Sequence, residues 1–408
     1  MKILYLTTVL PSGRRTGGEI ASQCFINALK QCGHEVLVVG YQRPDDTKLK
    51  NDNEVVVEKR YIETQKSKYY PFLWMILSLL KGLPYSAAKY YSQKYLTKIK
   101  SILHKNDYET VIIDHAQLGW LLPLLDRKSK VIFIAHNLEH QLYEAQLKNA
   151  QKYVSKYIYK REARLIKKME DDLASSSKQV WTLTSHDSNY FYGQNLCSKV
   201  FHLPSIRTVP PKKSAIKHCD IGIIGSWTWK ANKYGLEWFF QAVYPHLPKN
   251  ISIHVAGSGA EWLAQRYPNV KYCGFVPDAQ AFMASAKVIA IPSISGGGIQ
   301  IKTLDAITSG SPIVATTVAM RGILDYPSAI EIADEPEYFA CSLMQLLALD
   351  DRCDIRQTER TKLLDNRLTW SVLRKENFYR SIESAMDSIE SNDLTYNVDL
   401  PVNQSRQK

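Results

Sequence analysis

The 408 residues are 45% hydrophobic and 23% charged, the balance of an ordinary soluble globular chain long enough for two or three domains with their own cores. The seven cysteines, at 24, 32, 197, 219, 273, 341 and 353, include no C-x-x-C pair, which excludes a Cys-based metal or redox site and points to reduced thiols in a cytoplasmic protein. The whole net charge of +12 lies in the first half, where residues 1–210 hold 31 Lys and Arg against 19 Asp and Glu, while the rest holds 21 of each.

The opening MKILYLTTVLPSG has too short an apolar run, and no small-residue cleavage site, to be a signal peptide. It reads as a buried strand over 2–9 that ends at Pro11-Ser12-Gly13. Gly17 and Gly18 then precede a helix over about 20–32 with Ile20, Phe25, Ile26 and Leu29 on its apolar side. Gly33 closes the helix, and His34-Glu35 lead into the strand 36–39. This is a βαβ unit with a Gly-Gly pair at the helix N-terminus.

Residues 41–62 are polar, read as loop and an edge strand. The stretch 67–105 interleaves lysines with Tyr, Trp, Leu and Ile and has few acids. It predicts two or three amphipathic helices, suited either to packing on the domain core or to lying at a membrane interface. Its longest apolar run, Pro71 to Leu80, is about half of a membrane span. The basic first half suits either an anionic partner or a solvated basic face with none; with no reading motif for bases, the candidate partner is an anionic membrane surface and nucleic acid is not expected.

Strands follow at 111–115 and 131–137, the second ending in Ala135-His136-Asn137 with Glu139 and His140 close behind. Residues 141–174 form a long charged helical region, 179–184 a strand, and Ser185-His186-Asp187 a helix start. Pro204 to Lys213 reads as a linker. These features bound an N-terminal domain at 1–205, a linker at 206–219 and a second domain at 220–369.

The second domain opens with the strand 220–225 and the segment Ser226 to Gly235, before a helix from Leu236. A strand over 251–256 ends at Gly257-Ser258-Gly259. A short strand over 270–275 and a helix over 277–286 come next. The most informative stretch is 290–322. A strand end, the glycines Gly296, Gly297 and Gly298, a helix bearing Ile301, Leu304 and Ile307, and the strand 313–316 make a second βαβ unit. Glycines let the backbone approach a bulky anion, and the unpaired N–H groups of the helix start point at it. Lys302 and Thr303 add a charge and a hydroxyl in the first turn, so a phosphate is the natural guest. A last helix is expected over 370–389, with Val372, Leu373, Phe378, Ile382 and Met386 on one face. A polar, disordered tail is expected at 390–408.

Taken together, Gly17-Gly18, Gly-His-Glu-Val at 33–36, Ala135-His136-Asn137, Gly225-Ser226 to Asn232, Gly257-Ser258-Gly259, Cys273 to Val276 and the segment 292–316 resemble the GT-B glycosyltransferases, in particular the group 1 (GT4-like) branch. The resemblance implies an α/β chain of two Rossmann-like domains facing across a cleft, an acceptor domain first and a nucleotide-sugar domain second, with the final helix crossing back. It implies that Gly17, Gly18, Ser226, Lys233, Gly298, Ile299, Lys302 and Thr303 hold the donor diphosphate. Gly257, Phe275, Val276 and Asp305 would frame the nucleoside, and His136 and Lys302 would serve the transfer. The expected co-substrate is a UDP-sugar, with no further cofactor and no metal. The expected acceptor is a glycan or lipid-linked intermediate of a surface polysaccharide.

Two departures stand out. Eight positions before Asp305 the branch usually carries a sugar-contacting Glu, and here Gly297 stands instead. Ser226 replaces an Arg, leaving Lys233 as the expected second cation. A non-catalytic nucleotide-sugar binder and a sugar epimerase of the same fold remain as alternatives.

Overall fold

The computed structural model describes residues 1–13, 16–46, 52–67, 69–125, 130–194, 196–205, 216–350 and 356–391. Most of the expected linker and of the polar tail lies outside the described residues.

The first seven strands are β1 (Lys2–Val9), β2 (Glu35–Gln42), β3 (Glu54–Lys59), β4 (Thr110–Asp114), β5 (Lys130–Ala135), β6 (Gln179–Thr182) and β7 (Ser198–Val200). They form one parallel sheet in the order β3-β2-β1-β4-β5-β6-β7. Runs of Val and Ile suit strands buried on both faces. Helices α1 (Gly17–Gln31), α2 (Tyr70–Lys81), α3 (Tyr85–Ala88), α4 (Gln93–Lys105), α5 (Glu139–Asn149), α6 (Tyr153–Ser176) and α7 (Ser185–Tyr192) accompany the sheet. Helix α1 starts three residues before the apolar pattern does. Thr16 caps it, its Oγ1 accepting from the Glu19 N–H at 3.3 Å while Glu19 sits at the capping-box position.

The second sheet has the order β10-β9-β8-β11-β12-β13. Its strands are β8 (Cys219–Ile224), β9 (Ile253–Ala256), β10 (Val270–Gly274), β11 (Ala286–Ile291), β12 (Ile313–Ala315) and β13 (Ile330–Ile332). With it go α8 (Lys230–Trp238), α9 (Ala279–Ala284), α10 (Ile301–Ser309), α11 (Pro336–Asp350) and α12 (Arg356–Glu390). Both sheets have the order 3-2-1-4-5-6 in their own strand sequence, the doubly wound pattern. In such sheets the chain turns opposite ways on either side of one strand pair, and a crevice opens at the carboxyl ends of that pair. Here the pairs are β1/β4 and β8/β11.

Helix α12 ties the domains together. Phe378 packs on Phe25 of α1 with 5.4 Å between ring centroids. Near its end, Gln179 Nε2 donates to Ser388 Oγ at 2.7 Å and Lys130 Nζ to the Ile389 carbonyl at 2.6 Å. On the other side the buried Arg367 donates to the Ser311 carbonyl at 2.6 Å. The helix starts 14 residues before the apolar pattern suggested. Phe378, Ile382 and Met386 are buried as expected, but Val372 and Leu373 are 55% and 52% exposed.

Candidate active site

In the first domain the site begins at Asp114, the last residue of β4, fully buried between the two strands of the switch point. Its Oδ2 accepts from Thr7 Oγ1 at 2.9 Å and Ser22 Oγ at 2.6 Å. Its Oδ1 lies 2.6 Å from His136 Nε2 and 3.4 Å from His115 Nδ1. The two imidazoles are stacked, 3.9 Å between centroids. Burial works against charge on all three groups. Against it, the two histidines hold the Asp114 carboxyl well below the usual range. Asp114 also lifts His115 above its ordinary value in spite of burial. Burial and the neighbouring His115 push His136 down. Within the trio the carboxylate favours charge on His115, and His115 in turn disfavours it on His136.

Among the described residues this is also the one cluster with metal-ligand spacing. Its shortest contact is a hydrogen-bond distance, and an ion would have to displace that proton and part the groups.

His115 has a φ of 87°, unusual for a residue with a Cβ and frequent at functional sites. Its Nε2 lies 3.2 Å from where a Cβ on Gly18 would sit. His115 lines a cavity of about 250 Å³ with Thr7, Glu19, Arg43, Lys89 and Gln117. That cavity is small for a binding site and suits a single compact polar group such as a sugar ring. Glu139 stands close by; burial and then Glu170 raise its carboxyl to about 6.

In the second domain three loops at strand ends fit into each other. A Cβ on Gly257 would stand 1.7 Å from the Gly225 carbonyl oxygen, and one on Gly259 2.7 Å from the Thr228 nitrogen. Only glycine permits that stacking. Phe275, at the next turn, is 77% exposed. Lys302, in the first turn of α10, is half-buried with its Nζ 3.2 Å from Asn232 Oδ1 and 5.9 Å from the centre of the Trp227 ring. Burial pushes it down to about 8, and among the described residues no carboxylate pairs with it. The N–H groups of Gly298 and Ile299 meet no backbone acceptor among the described residues. Arg321 Nε donates to the Gly298 carbonyl at 3.0 Å, and its Nη2 is buried without a partner, as is Ser295 Oγ. Buried polar groups left unpaired in this way call for a water, an ion or a ligand as partner.

The domains meet along this loop. A Cβ on Gly17 would touch Ile301 Cγ1 at 3.4 Å; one on Gly298, whose φ is 63°, would stand 2.4 Å from the His136 carbonyl oxygen. The structure therefore sets Gly17 against Ile301 and Gly298 against His136, with Gly18, Ile299 and Lys302 their neighbours in sequence. It treats other members differently. The His136 imidazole points back at Asp114, and His115 is the histidine that lines the cavity. Thr303 is buried and donates to the Ala319 carbonyl at 2.8 Å, away from the loop. Ser226 is exposed and bonded to Thr228 at 3.1 Å. Lys233 faces Glu237 at 3.7 Å; its neighbour Asn232 is the residue on Lys302. Asp305 accepts from Ser205 Oγ at 3.4 Å at the end of the first domain. Gly257, Phe275 and Val276 stand at the carboxyl ends of β9 and β10. Sequence reasoning missed Asn232, Arg321 and the strain at His115.

Comparison with known proteins agrees with this geometry. Residues 218–348 match the family model described as Glycosyl transferases group 1. A Klebsiella pneumoniae protein described as "Uncharacterized 44.6 kDa protein in cps region" is 23% identical over 370 residues, covering 83% of this chain and 89% of that one. Anabaena HepE, solved in complex with UDP-glucose, superposes with a TM-score of 0.61 at 14% identity over 95% of this chain and 100% of its own. WaaG, a glycosyltransferase involved in lipopolysaccharide biosynthesis, gives 0.59 at 16% identity over 95% and 99%. The lipopolysaccharide outer core galactosyltransferase WaaB gives 0.56 at 13% identity over 97% and 100%. Residues 218–348 thus match a group 1 glycosyltransferase domain, carried within a two-domain GT-B fold.

Proposed function

We propose that the protein transfers a sugar from a nucleoside-diphosphate sugar, a UDP-sugar, to a hydroxyl of a glycan or lipid-linked acceptor in surface polysaccharide synthesis. The observation that carries this is Lys302: a half-buried ammonium without a counter-charge among the described residues, at a helix N-terminus with free amides. A diphosphate supplies the missing anion. The same cation and amides then stabilise the charge that builds on the leaving phosphate as the C1–O bond breaks. Phe275 and Val276 would border the base, and Asp305 would accept from the ribose. The UDP-glucose bound in HepE and the cps-region relative support the donor and pathway.

In this reading the 250 Å³ cavity beside His115 takes the acceptor sugar. The acceptor hydroxyl attacks C1 from the face the phosphate leaves, the phosphate oxygen takes the proton, and the anomeric configuration is retained. The Asp114 trio holds the facing wall in place. No cofactor or metal enters the scheme.

We also place the protein peripherally on the cytoplasmic face of a membrane. Among the described residues no helix is long and apolar enough to cross one. Helix α2, however, exposes Phe72, Leu73, Leu79 and Leu80, which are 63%, 54%, 66% and 79% accessible. Arg161 of α6 ties to it, donating to Ser78 Oγ at 3.1 Å. The first turns of α6 add exposed Tyr153, Val154 and Tyr157, with exposed Lys152, Lys156 and Lys160. Apolar side chains among lysines suit an anionic interface.

The test is calorimetric binding of UDP, GDP and their sugars to the wild type and to Lys302→Ala, followed by product analysis with the sugar that binds. Absence of any nucleoside-diphosphate binding, or an unaffected Lys302→Ala protein, would refute the reading. Donor binding without turnover over an acceptor panel would favour a pure binder instead.

A further inference from the structure

At position 297 this chain has no side chain, and the structure shows where one would go. A Cβ there would lie 2.9 Å from Leu142 Cδ2, 3.2 Å from Asn137 Cβ and 3.6 Å from Asn137 Nδ2. The space is filled by residues of the other domain, from the β5–α5 turn and the first turns of α5. Asn137 is the polar one of the pair. Its Oδ1 is buried and has no hydrogen-bond partner in the described structure. It also abuts the next glycine, 3.5 Å from where a Cβ on Gly298 would be.

An orphaned buried carboxamide is costly unless something completes it. Packing against the glycines occupies its Cβ and Nδ2 and leaves the Oδ1 without a partner. The carboxamide stands against the same three-glycine loop whose amides face the diphosphate site. In the donor reading, a sugar on the second phosphate of that diphosphate would lie beside this loop, on the side where Asn137 abuts Gly297 and Gly298.

We propose that Asn137 reads the hydroxyls of the donor sugar, contributed from the first domain in place of an acid on the second. The carboxamide offers two donors and an acceptor, so it pairs with a neutral hydroxylated sugar without adding charge. Sugar recognition is then built only when the domains are together, since half of it rides on each. This inference rests on the reading that a nucleoside-diphosphate sugar occupies the loop.

The experiment measures dissociation constants of UDP, UDP-glucose, UDP-galactose and UDP-N-acetylglucosamine with the full chain, as wild type, Asn137→Ala and Asn137→Asp, with a melting curve for each. UDP affinity should stay within about twofold in both variants, because UDP carries no sugar. The best-bound UDP-sugar should weaken about tenfold in Asn137→Ala, the loss expected for one buried hydrogen-bonding group. Asn137→Asp keeps the acceptor and the shape; it should lose less and change the order of the three sugars, and it serves if the alanine protein does not fold. Equal weakening of UDP and UDP-sugar means that Asn137 only props the loop, and overturns the proposal. So does unchanged UDP-sugar affinity in Asn137→Ala. A wild type that binds none of the four ligands overturns the donor reading as well as this inference, which separates the two failures.

Discussion

His115 and His136 lie stacked with 3.9 Å between ring centroids, and Asp114 is the carboxylate both reach. Two imidazoles so close, beside one negative charge, titrate as a coupled pair in which charging one disfavours charging the other. The carboxylate lifts His115, and His136 is held down by burial and by its partner. In Asp114→Asn the lifting charge is gone and burial remains. The His115 midpoint should then fall below the ordinary histidine value of about 6.5. Side-chain histidine NMR titration of wild type and variant checks this. A His115 midpoint that does not move would mean that Asp114 does not charge the pair.

The position of Lys302 makes donor binding depend on pH. Its ammonium is pushed down to about 8 by burial, below the ordinary lysine value of about 10.4. The sign follows from which state holds the proton. Below about 8 both folded and unfolded chains are protonated, and the full burial cost opposes folding. From there up to the ordinary value the folded lysine is neutral while the unfolded one is charged, so this group's contribution to stability improves as pH rises. A bound diphosphate restores the charge. UDP binding should therefore take up a proton at pH 9 and almost none at pH 6.5, read from calorimetry in buffers of different ionisation enthalpy. Lys302→Met should abolish the uptake and weaken UDP by on the order of tenfold to a hundredfold.

The glycine loop should resist repair. Restoring the branch's acid with Gly297→Glu drives the new side chain into Leu142 and Asn137. Overpacking of this kind costs roughly 1–3 kcal/mol, so the variant should melt lower and lose, not gain, transfer. Gly298→Ala adds a strained φ of 63° and a Cβ 2.4 Å from the His136 carbonyl oxygen, and left-handed strain alone costs about 1–2 kcal/mol. Thermal melts and initial rates on both proteins decide it; a stable, active Gly297→Glu protein would show that the two loops do not meet as described.

Attachment to membranes should depend on the open face of α2. The wild type should float with liposomes containing anionic lipid at low salt and be released at high salt, because exposed charges are screened over about 10 Å at 0.1 M. Changing Leu79 and Leu80 together to Gln removes two of the most exposed leucines. It should abolish flotation while leaving UDP affinity untouched. Flotation that survives the change would return α2 to a purely structural role.

Much of this was readable in the residues. The two strand–glycine–helix–strand units declare parallel sheets, because Val and Ile runs separated by helix-length segments have few other solutions. Lys302 announced itself by sitting just inside a helix after three glycines. What stayed hidden depends on rotation or on distant contacts. Thr303 and Lys302 are adjacent in sequence, yet about 100° of helix turn sends one into the core and the other to the loop. His115 gives no sequence sign of its positive φ, which is set by its place at the end of β4. Arg321 lies past the next strand and reaches the loop only through the fold. The start of α12 was missed because Arg367 looks like a solvent-facing charge, whereas it is buried and donates to a backbone carbonyl, as does Arg374 within the expected part of the helix.

Those two arginines also fix how the molecule can move. Arg374 Nε holds the Leu203 carbonyl of the first domain at 2.7 Å, and its Nη2 holds the Gly322 carbonyl of the second at 3.2 Å. Arg367 fastens the same helix to β12's approach, and Gln179 and Lys130 fasten its far end. A rod clamped to both bodies passes torque from one to the other. Any separation of the domains near residue 374 therefore has to break guanidinium bonds held in a low-dielectric interior.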